Sequence, residues 1–406
     1  MRPVEHKQDG HLAGTPIDAH PVPRWLKTWV TFGMVWLIIG MSVLPAGMSY
    51  SPGKIFQYGL GLTLFLPTLV LLIARPGRFL VFWRQPLVPW VLLLLVWGCV
   101  SLAWSHATRP FDEAGHNVSI LLFLFAWQQC IGSDEERCKR LLVGCGLAMA
   151  VVALGAIIAD QPSPDLDGRL VGFGAMSNAN LAAGGMGAAL MWLWPWRLQH
   201  TAWRVLKWLA IATLGAFIVL TLTRSALGAL FMALVVVALS QGGRRAWLYA
   251  GLLIALGAAC AVIGAHFLMA RGWSARPEIF QAAMHLFEQH PLRGMGQGSP
   301  FELHADGLLL MHAHNMFSQL AIELGLPGLL LWTGIWLVLG WRAWRHRHDT
   351  RGLIVLGIWV FGTVMVQFDL PHLLDSPRPG WLLTWLPLAL GMSFGRKTTK
   401  DATERL

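Results

Sequence analysis

Charged side chains are scarce in this sequence, which leaves little room for a separate soluble domain. Asp, Glu, Lys and Arg make up 13% of the 406 residues, about half of the share that is usual in soluble domains. Apolar residues make up 55%, and apolar runs long enough to cross a hydrocarbon core recur from end to end. The composition predicts an all-α polytopic membrane protein in which residues 1–406 form a single integral membrane domain.

Cysteine is rare, and ligand motifs for common cofactors are missing. The five cysteines have no metal-ligand spacing, and none lies in a segment that we predict to be outside the cytoplasm. A disulfide framework is therefore not expected. The sequence has no HExxH motif and no nucleotide-binding signature, so it indicates neither a metal nor another cofactor.

Hydropathy predicts about twelve spans, and an even number places both termini on one side of the membrane. Of the 31 Lys and Arg residues, 23 fall on that side, which the positive-inside rule makes cytoplasmic. The net charge of +10 thus reflects topology and contact with anionic membrane lipids, not nucleic-acid binding. The predicted spans are approximately 28–47, 55–74, 86–105, 115–131, 140–159, 176–195, 205–222, 224–240, 246–269, 314–340, 352–370 and 379–395.

The longest connection on the outer side covers residues 270–313, whereas the other outer segments are short. A long loop among tight connections commonly carries function. Within it, Arg276 precedes Pro277, which favours the first turn of a helix, and the following apolar residues at helical spacing predict a short amphipathic helix. Gly294 and Gly296 then supply either backbone that can approach a ligand closely or a plain turn.

A polar cluster of His312, His314 and Asn315 opens the tenth predicted span. A helix N-terminus disfavours a positive imidazole, so we expect His314 to be neutral and able to accept a proton, as a general base must. The alternative is a hydrogen-bonded histidine at the membrane interface. His312 is a secondary candidate. Glu323, farther into the span, either orients a polar neighbour or hydrogen-bonds between helices.

Arg224 lies between two apolar segments with almost no loop. An arginine at this depth is costly unless it faces a polar cavity or an anion, and a snorkelling interfacial arginine is the alternative.

A transferase outside the cytoplasm lacks nucleotide sugars, so its donor must arrive already activated. A polyprenyl-pyrophosphate-linked sugar fits, because its pyrophosphate lies at the interface, where two arginines can stabilise the leaving group without a metal.

Arg169, Asn178 and Asn180 form a second polar group at the start of the sixth predicted span. A guanidinium and amides at this place suit the binding of sugar hydroxyls or phosphate, although Asn at a helix start is equally an ordinary N-cap. A third group near the last outer loop, which supplies either partners for the arginines or structural ion pairs, consists of Asp369, Asp375 and Arg378.

Three ordered segments over about residues 169–330 resemble the O-antigen ligase and polymerase superfamily of bacterial envelope glycan enzymes. Each is short, but the ordered set is fairly specific, and the rest of the chain agrees with the family only in hydropathy. Ala179 departs from the family, which often has Pro there. The segments are Arg169-Leu170-Val171-Gly172-Phe173 with Ser177-Asn178-Ala179-Asn180-Leu181-Ala182, Thr223-Arg224-Ser225-Ala226 with Arg276-Pro277-Glu278-Ile279-Phe280 and His290-Pro291-Leu292-Arg293-Gly294-Met295-Gly296, and His314-Asn315 with Glu323-Leu324-Gly325-Leu326-Pro327-Gly328.

The resemblance implies a GT-C-like fold and metal-independent, inverting glycosyl transfer at the periplasmic face of the bacterial inner membrane. The donor would be undecaprenyl-pyrophosphate-linked glycan, and in the ligase branch the acceptor would be lipid A–core oligosaccharide. By position, Arg224 and Arg276 would bind the donor pyrophosphate, and His314 would deprotonate the acceptor hydroxyl. The remaining candidates for substrate binding are Arg169, Asn178, Asn180, His312, Asn315, Gly294 and Gly296.

The single large outer loop and modest length favour the ligase over two other branches. The polymerase branch often carries two large outer loops, and the protein O-oligosaccharyltransferases tend to be longer. A lipid-linked glycan transporter or flippase is an alternative of a different class. It predicts charged residues deep within several spans and internal repeat symmetry, whereas the polar groups here cluster at the outer lip.

Overall fold

The computed structural model describes residues 21–47, 50–162, 168–264 and 275–394. Within them, the regular structure is helical apart from one two-stranded hairpin, as predicted for an all-α polytopic membrane protein. A helix satisfies its own peptide groups, which lipid cannot do. The helices are α1 (Arg24–Val43), α2 (Lys54–Ala74), α3 (Gly77–Trp83), α4 (Val88–Ser101), α5 (Pro110–Cys130), α6 (Glu135–Ile158), α7 (Ala179–Leu193), α8 (Thr201–Leu220), α9 (Arg224–Ser240), α10 (Gly243–Ile263), α11 (Arg276–Gln289), α12 (Met316–Arg345), α13 (Thr350–Phe368) and α14 (Trp385–Met392).

The predicted spans fall on the helices of the bundle, but their lengths differ. Among the described residues, seven helices are long and apolar enough to cross a membrane, and α3 with α4, bent by 102°, makes an eighth if the pair is one span. Helices α7 and α9 are apolar but have only 15 and 17 residues. Twelve crossings therefore stay a prediction, as does the single domain. Both chain ends and residues 270–274 of the predicted outer loop lie outside the described residues.

The larger hydrophobic core is centred on α13, which packs against α7, α9 and α12. Small residues allow the close approach: a Cβ on Gly187 of α7 would lie 2.1 Å from the ring of Phe361 in α13. Trp332 and Trp385 fill the space beside them and are fully buried. In contrast to the central helix α13, α10 is exposed along most of its surface.

Helix α12 is broken near its N-terminal end, and the segment that follows α11 packs against the break. Gly325 has φ of 65° and ψ of −165°, a conformation that costs little for glycine alone. Pro327 then restarts the helix, as proline does in a first turn. The N–H groups of Met295 and Gly296 donate to the carbonyls of Ile322 and Glu323. The upper part of α12 is thereby fastened to the segment that follows α11.

Replacing Gly325 by Ala is expected to destabilise the protein by about 1–3 kcal/mol. The new Cβ would lie 2.5 Å from the carbonyl oxygen of Leu292, in a backbone conformation that L side chains rarely adopt. Thermal unfolding of the purified protein measures the effect. Gly334→Ala is the matched control, because a Cβ at that helical position meets nothing within 4 Å. Equal melting temperatures for the two variants would contradict the prediction.

A smaller hydrophobic core joins α11, the hairpin and the start of α12. Its buried members include Ile279, Phe301, Leu303 and Ile322. The hairpin pairs strand β1 (Leu303–Ala305) with strand β2 (Leu308–Leu310) in antiparallel register. Asp306 and Gly307 both have positive φ, the geometry of a tight hairpin turn. The predicted amphipathic helix is present as α11, whereas the hairpin was not predicted.

Candidate active site

His314 stands at the start of α12 in an uncommon conformation. It has φ of 50°, a region that few non-glycine residues occupy. The next residue, Asn315, is the N-cap, and its side-chain oxygen accepts hydrogen bonds from the N–H groups of Phe317 and Ser318. Nδ1 of His314 faces Oδ1 of Asp369 at 3.8 Å, and the His314 side chain is 28% exposed. The imidazole is thus held by a carboxylate while part of the ring stays accessible.

Asp369 follows the last residue of α13 and is held from two further sides. Its Oδ2 accepts a hydrogen bond of 2.6 Å from Nδ2 of Asn180, and its Oδ1 accepts one from the N–H of Leu370. Burial favours the neutral acid, but the close approach of His314 and the hydrogen bond from Asn180 outweigh it, so the pKa of Asp369 is lowered. Asp369 is therefore an anion that orients its imidazole partner.

Arg169 and the two asparagines of α7 are engaged with protein groups. The guanidinium of Arg169 donates to the side-chain oxygen of Asn180 at 2.7 Å, to Oγ1 of Thr223 at 2.8 Å and to the carbonyl of Thr221 at 2.9 Å. Asn178 caps α7 by accepting from the N–H groups of Asn180 and Leu181. These contacts position Asp369 and the start of α9. Substrate binding by the three residues stays a prediction.

Arg276 and Arg224 are the first residues of α11 and α9. Arg276 donates a hydrogen bond to the carbonyl of Phe368, and its guanidinium lies 5.4 Å from the centre of the Phe368 ring. Burial lowers the pKa of Arg276; the charge of Asp369 opposes this effect, and the charge of Arg224 adds to it. Arg276 thus lies within electrostatic range of both Asp369 and Arg224.

The N-termini of α7, α9, α11 and α12 meet around His314, Asp369 and the two arginines, and they differ in how they are capped. Side chains of Asn178 and Asn315 cap α7 and α12. Helices α9 and α11, which begin with the two arginines, have no side-chain cap. An uncapped N-terminus presents unpaired N–H groups and a partial positive charge. The pair of arginines and the starts of α9 and α11 together form a place suited to an anion.

His312 lies beside the base candidate, among other titratable side chains. Its ring centre is 4.0 Å from that of His314 and 5.8 Å from that of His372. Among the described residues, no group hydrogen-bonds its buried Nδ1. Burial and the neighbouring histidine charges lower the pKa of His312 well below its usual value. The sequence did not single out His372, whose pKa burial also lowers.

Acidification is expected to destabilise the protein through His312. The unfolded histidine has a pKa of about 6.5, so below that pH the unfolded state binds a proton that the folded state resists. Stability should therefore fall as the pH drops from about 6.5 toward the folded pKa. Melting temperatures at pH 7.5 and pH 5 measure the slope, which His312→Phe should reduce. An unchanged slope in this variant, with His285→Phe as the exposed control, would contradict the assignment.

Gly294 and Gly296 have positive φ, and their open faces are filled by protein. A Cβ on Gly294 would lie 2.4 Å from the carbonyl oxygen of Glu323, and one on Gly296 would lie 2.6 Å from Cα of Ser105. Close packing of backbone therefore accounts for both glycines. Their predicted approach to a ligand stays untested. Glu323 itself accepts a hydrogen bond from Gln319, whose Oε1 accepts from the N–H of Ala313.

A second polar cluster lies beyond His372. Arg378 and Asp375 form an ion pair of 2.8 Å, so the predicted pairing of an acidic residue with Arg378 applies to Asp375. Nδ1 of His116 lies 3.3 Å from Glu113 and 3.9 Å from Asp375. Within the described ranges, no group of three or more His, Cys, Asp or Glu side chains is arranged to hold a metal ion.

Comparisons with known proteins agree with the residues gathered here. The family model described as O-antigen ligase matches residues 209–333, which include Arg224, Arg276 and His314. A curated O-antigen ligase from Pseudomonas aeruginosa is 28% identical over 333 residues, covering 80% of this chain and 81% of the relative. The matches extend the resemblance beyond the short motifs to most of the chain. This multi-pass membrane protein is therefore similar to O-antigen ligases over most of its length.

Proposed function

We propose that the protein is an O-antigen ligase, which transfers glycan from undecaprenyl pyrophosphate to lipid A–core oligosaccharide. One observation carries the proposal: a histidine that faces a carboxylate at 3.8 Å lies near Arg276, which donates to the carbonyl of the adjacent Phe368, and near Arg224 at the start of α9. This combination supplies a base for one substrate and an anion site for the leaving group of the other. The family match and the Pseudomonas aeruginosa relative support the same reaction class.

The donor half of the site would hold the pyrophosphate. Cleavage of the bond between the anomeric carbon and the pyrophosphate oxygen leaves negative charge on that oxygen. Arg224 and Arg276 would stabilise this charge, because guanidinium groups donate in a planar fork that matches phosphate oxygens. The N-termini of α9 and α11 would add their N–H groups and dipoles. Such a site needs no metal to balance the developing charge.

The acceptor half would use His314. The acceptor hydroxyl oxygen forms the new bond to the anomeric carbon, and its proton passes to the imidazole nitrogen that does not face Asp369. Asp369 fixes the orientation of the ring and stabilises the imidazolium that forms. Attack from the face opposite the pyrophosphate inverts the anomeric centre. Arg169 and Asn180 then serve as positioning residues through Asp369, and His312 and Asn315 line the path to the imidazole.

The membrane sides follow from the charge distribution. Both termini would lie in the cytoplasm of a bacterium, and the site would face the periplasm, with the chain in the inner membrane. The carrier then remains in the bilayer while its pyrophosphate reaches the arginines at the interface. The partners are the two lipid-linked substrates and membrane lipids, with no nucleic acid and no cofactor.

The reaction is tested with purified protein, undecaprenyl-pyrophosphate glycan and core lipopolysaccharide in the presence of a chelator. Glycosylated lipopolysaccharide on a gel is the expected product. Glycan growth on the carrier alone would instead identify a polymerase, and transfer to an added protein acceptor would identify a protein O-oligosaccharyltransferase. Movement of carrier-linked glycan across a vesicle membrane without any new bond would identify a transporter or flippase.

A further inference from the structure

A large cavity formed by described residues lies far from His314, at the other end of α9. It is a groove of about 1260 Å³ between α8 and α10, with α9 as its floor. Helix α9 separates the groove from Arg224 by up to 17 residues, or about 25 Å. The volume exceeds the roughly 300–1,000 Å³ of ordinary small-molecule pockets. The groove is thus a feature separate from the proposed transfer site.

One end of the groove is strongly basic. Arg197, Arg204, Lys207 and Arg245 line it, and no acidic side chain is among its lining residues. Arg197 and Arg245 form no ion pair with another residue in the described part of the chain. These residues lie at the end that the charge distribution makes cytoplasmic. The groove therefore offers several cationic donors at the depth of lipid headgroups, without internal neutralisation.

Lys207 is built into this end of the groove. Its side chain is buried, and its ammonium donates to the carbonyls of Trp194 and Trp196 at 3.2 and 2.9 Å. It also lies 4.7 Å from the centre of the Trp208 ring. An ammonium has three N–H donors, and no described residue accepts the third. Because a buried ammonium needs partners, the remaining donor is suited to a bound anion.

The other end of the groove is hydrocarbon. Leu234, Val237, Leu252, Leu253 and Leu256 line it, on helices whose backbone groups are satisfied internally. Water would find no hydrogen-bond partner on these walls at membrane depth, so an apolar chain is expected to fill this end of the groove. A basic end at the headgroup level followed by an apolar channel matches a molecule that has both an anionic headgroup and a hydrocarbon chain.

We propose that the groove between α8 and α10 binds an anionic glycerophospholipid of the inner leaflet, with its phosphate at Arg197, Arg204, Lys207 and Arg245 and an acyl chain along the leucines. Basic pockets between transmembrane helices on the cytoplasmic side bind acidic lipid headgroups in this way. The charge of the groove decides between lipids, because a zwitterionic headgroup would bring an ammonium to an already cationic surface. The site does not depend on the proposed transfer reaction.

Native mass spectrometry of the full chain, released from nanodiscs of equimolar phosphatidylglycerol and phosphatidylethanolamine, tests the proposal. The groove variant Arg197→Gln/Arg204→Gln/Arg245→Gln is compared with Arg84→Gln/Lys139→Gln/Arg345→Gln, which removes equal charge from the same predicted membrane side outside the groove. We expect retained phosphatidylglycerol in the parent and control proteins. The groove variant should bind it about 100-fold more weakly.

A second variant tests the apolar end. Ala238→Trp places a large ring in the groove without changing charge and should reduce phosphatidylglycerol retention while leaving the melting temperature of the lipid-free protein unchanged. Equal retention of both lipids, or equal loss in the groove and control variants, would overturn the proposal. So would stabilisation by inorganic phosphate or undecaprenyl phosphate in place of phosphatidylglycerol. A dimer mass that the groove variant abolishes would assign the groove to a second copy instead.

Discussion

His314→Gln is expected to lower the rate of glycan transfer about 10²–10⁴-fold, the usual contribution of a general base. The substitution removes the nitrogen that would take the acceptor proton, while Asn315 still caps α12. Donor binding should change little, because the two arginines are untouched. Initial rates with saturating substrates measure the chemical step, and donor affinity is determined separately.

The control for this variant is His285→Gln. His285 lies on α11 of the same outer loop, and its side chain is 80% exposed. This variant should transfer glycan at the parent rate. If His314→Gln does the same while retaining the parent melting temperature, His314 is not the base. Loss of activity with loss of fold would instead be recognised from the melting temperature.

Arg276→Gln is expected to lower the transfer rate about 10²–10³-fold, the cost of removing one preorganised donor to a developing anion. Inorganic pyrophosphate should inhibit the parent protein and bind more weakly to the variant. Arg276→Lys should recover only part of the activity, because lysine keeps the charge but loses the bidentate fork. Transfer rates and pyrophosphate inhibition constants measure the two effects.

Arg293→Gln is the matched control, since Arg293 is an exposed arginine of the same loop. It should leave both quantities unchanged. Combining Arg276→Gln with Arg224→Gln should cost less than the sum of the single effects if the two guanidiniums act on one pyrophosphate. Unchanged pyrophosphate affinity in both single variants would remove the proposed anion site.

The sequence was informative wherever local chemistry decides the structure. Pro277 predicted the start of α11, and apolar runs predicted the helices of the bundle. It also singled out His314, Arg224 and Arg276 as candidates, because each is a polar residue at the edge of an apolar segment. None of these inferences required knowledge of which helices touch.

The sequence could not assign the partners of those residues. Asp369 and Asn180 are 189 positions apart, and only the packing of α13 against α7 brings them together. Gly294 and Gly296 allowed two interpretations, because a close approach of backbone and a close approach of a ligand both require a residue without a side chain. The hairpin could not be predicted from Asp306-Gly307 alone, although this pair is a turn signature, because its strands of three residues are too short to show an alternating pattern.

The two hydrophobic cores divide the proposed active site between them. Arg276 begins the helix that builds the smaller core, and Ala313 and Ile322 fix the chain on either side of His314 in that same core. Asp369 and Arg224 are attached to helices of the larger core. Because Met316, two residues after His314, belongs to the larger core, the base stands where the two cores adjoin. A substitution that disturbs the smaller core is therefore expected to displace Arg276 more than His314, which the larger core also holds through Met316.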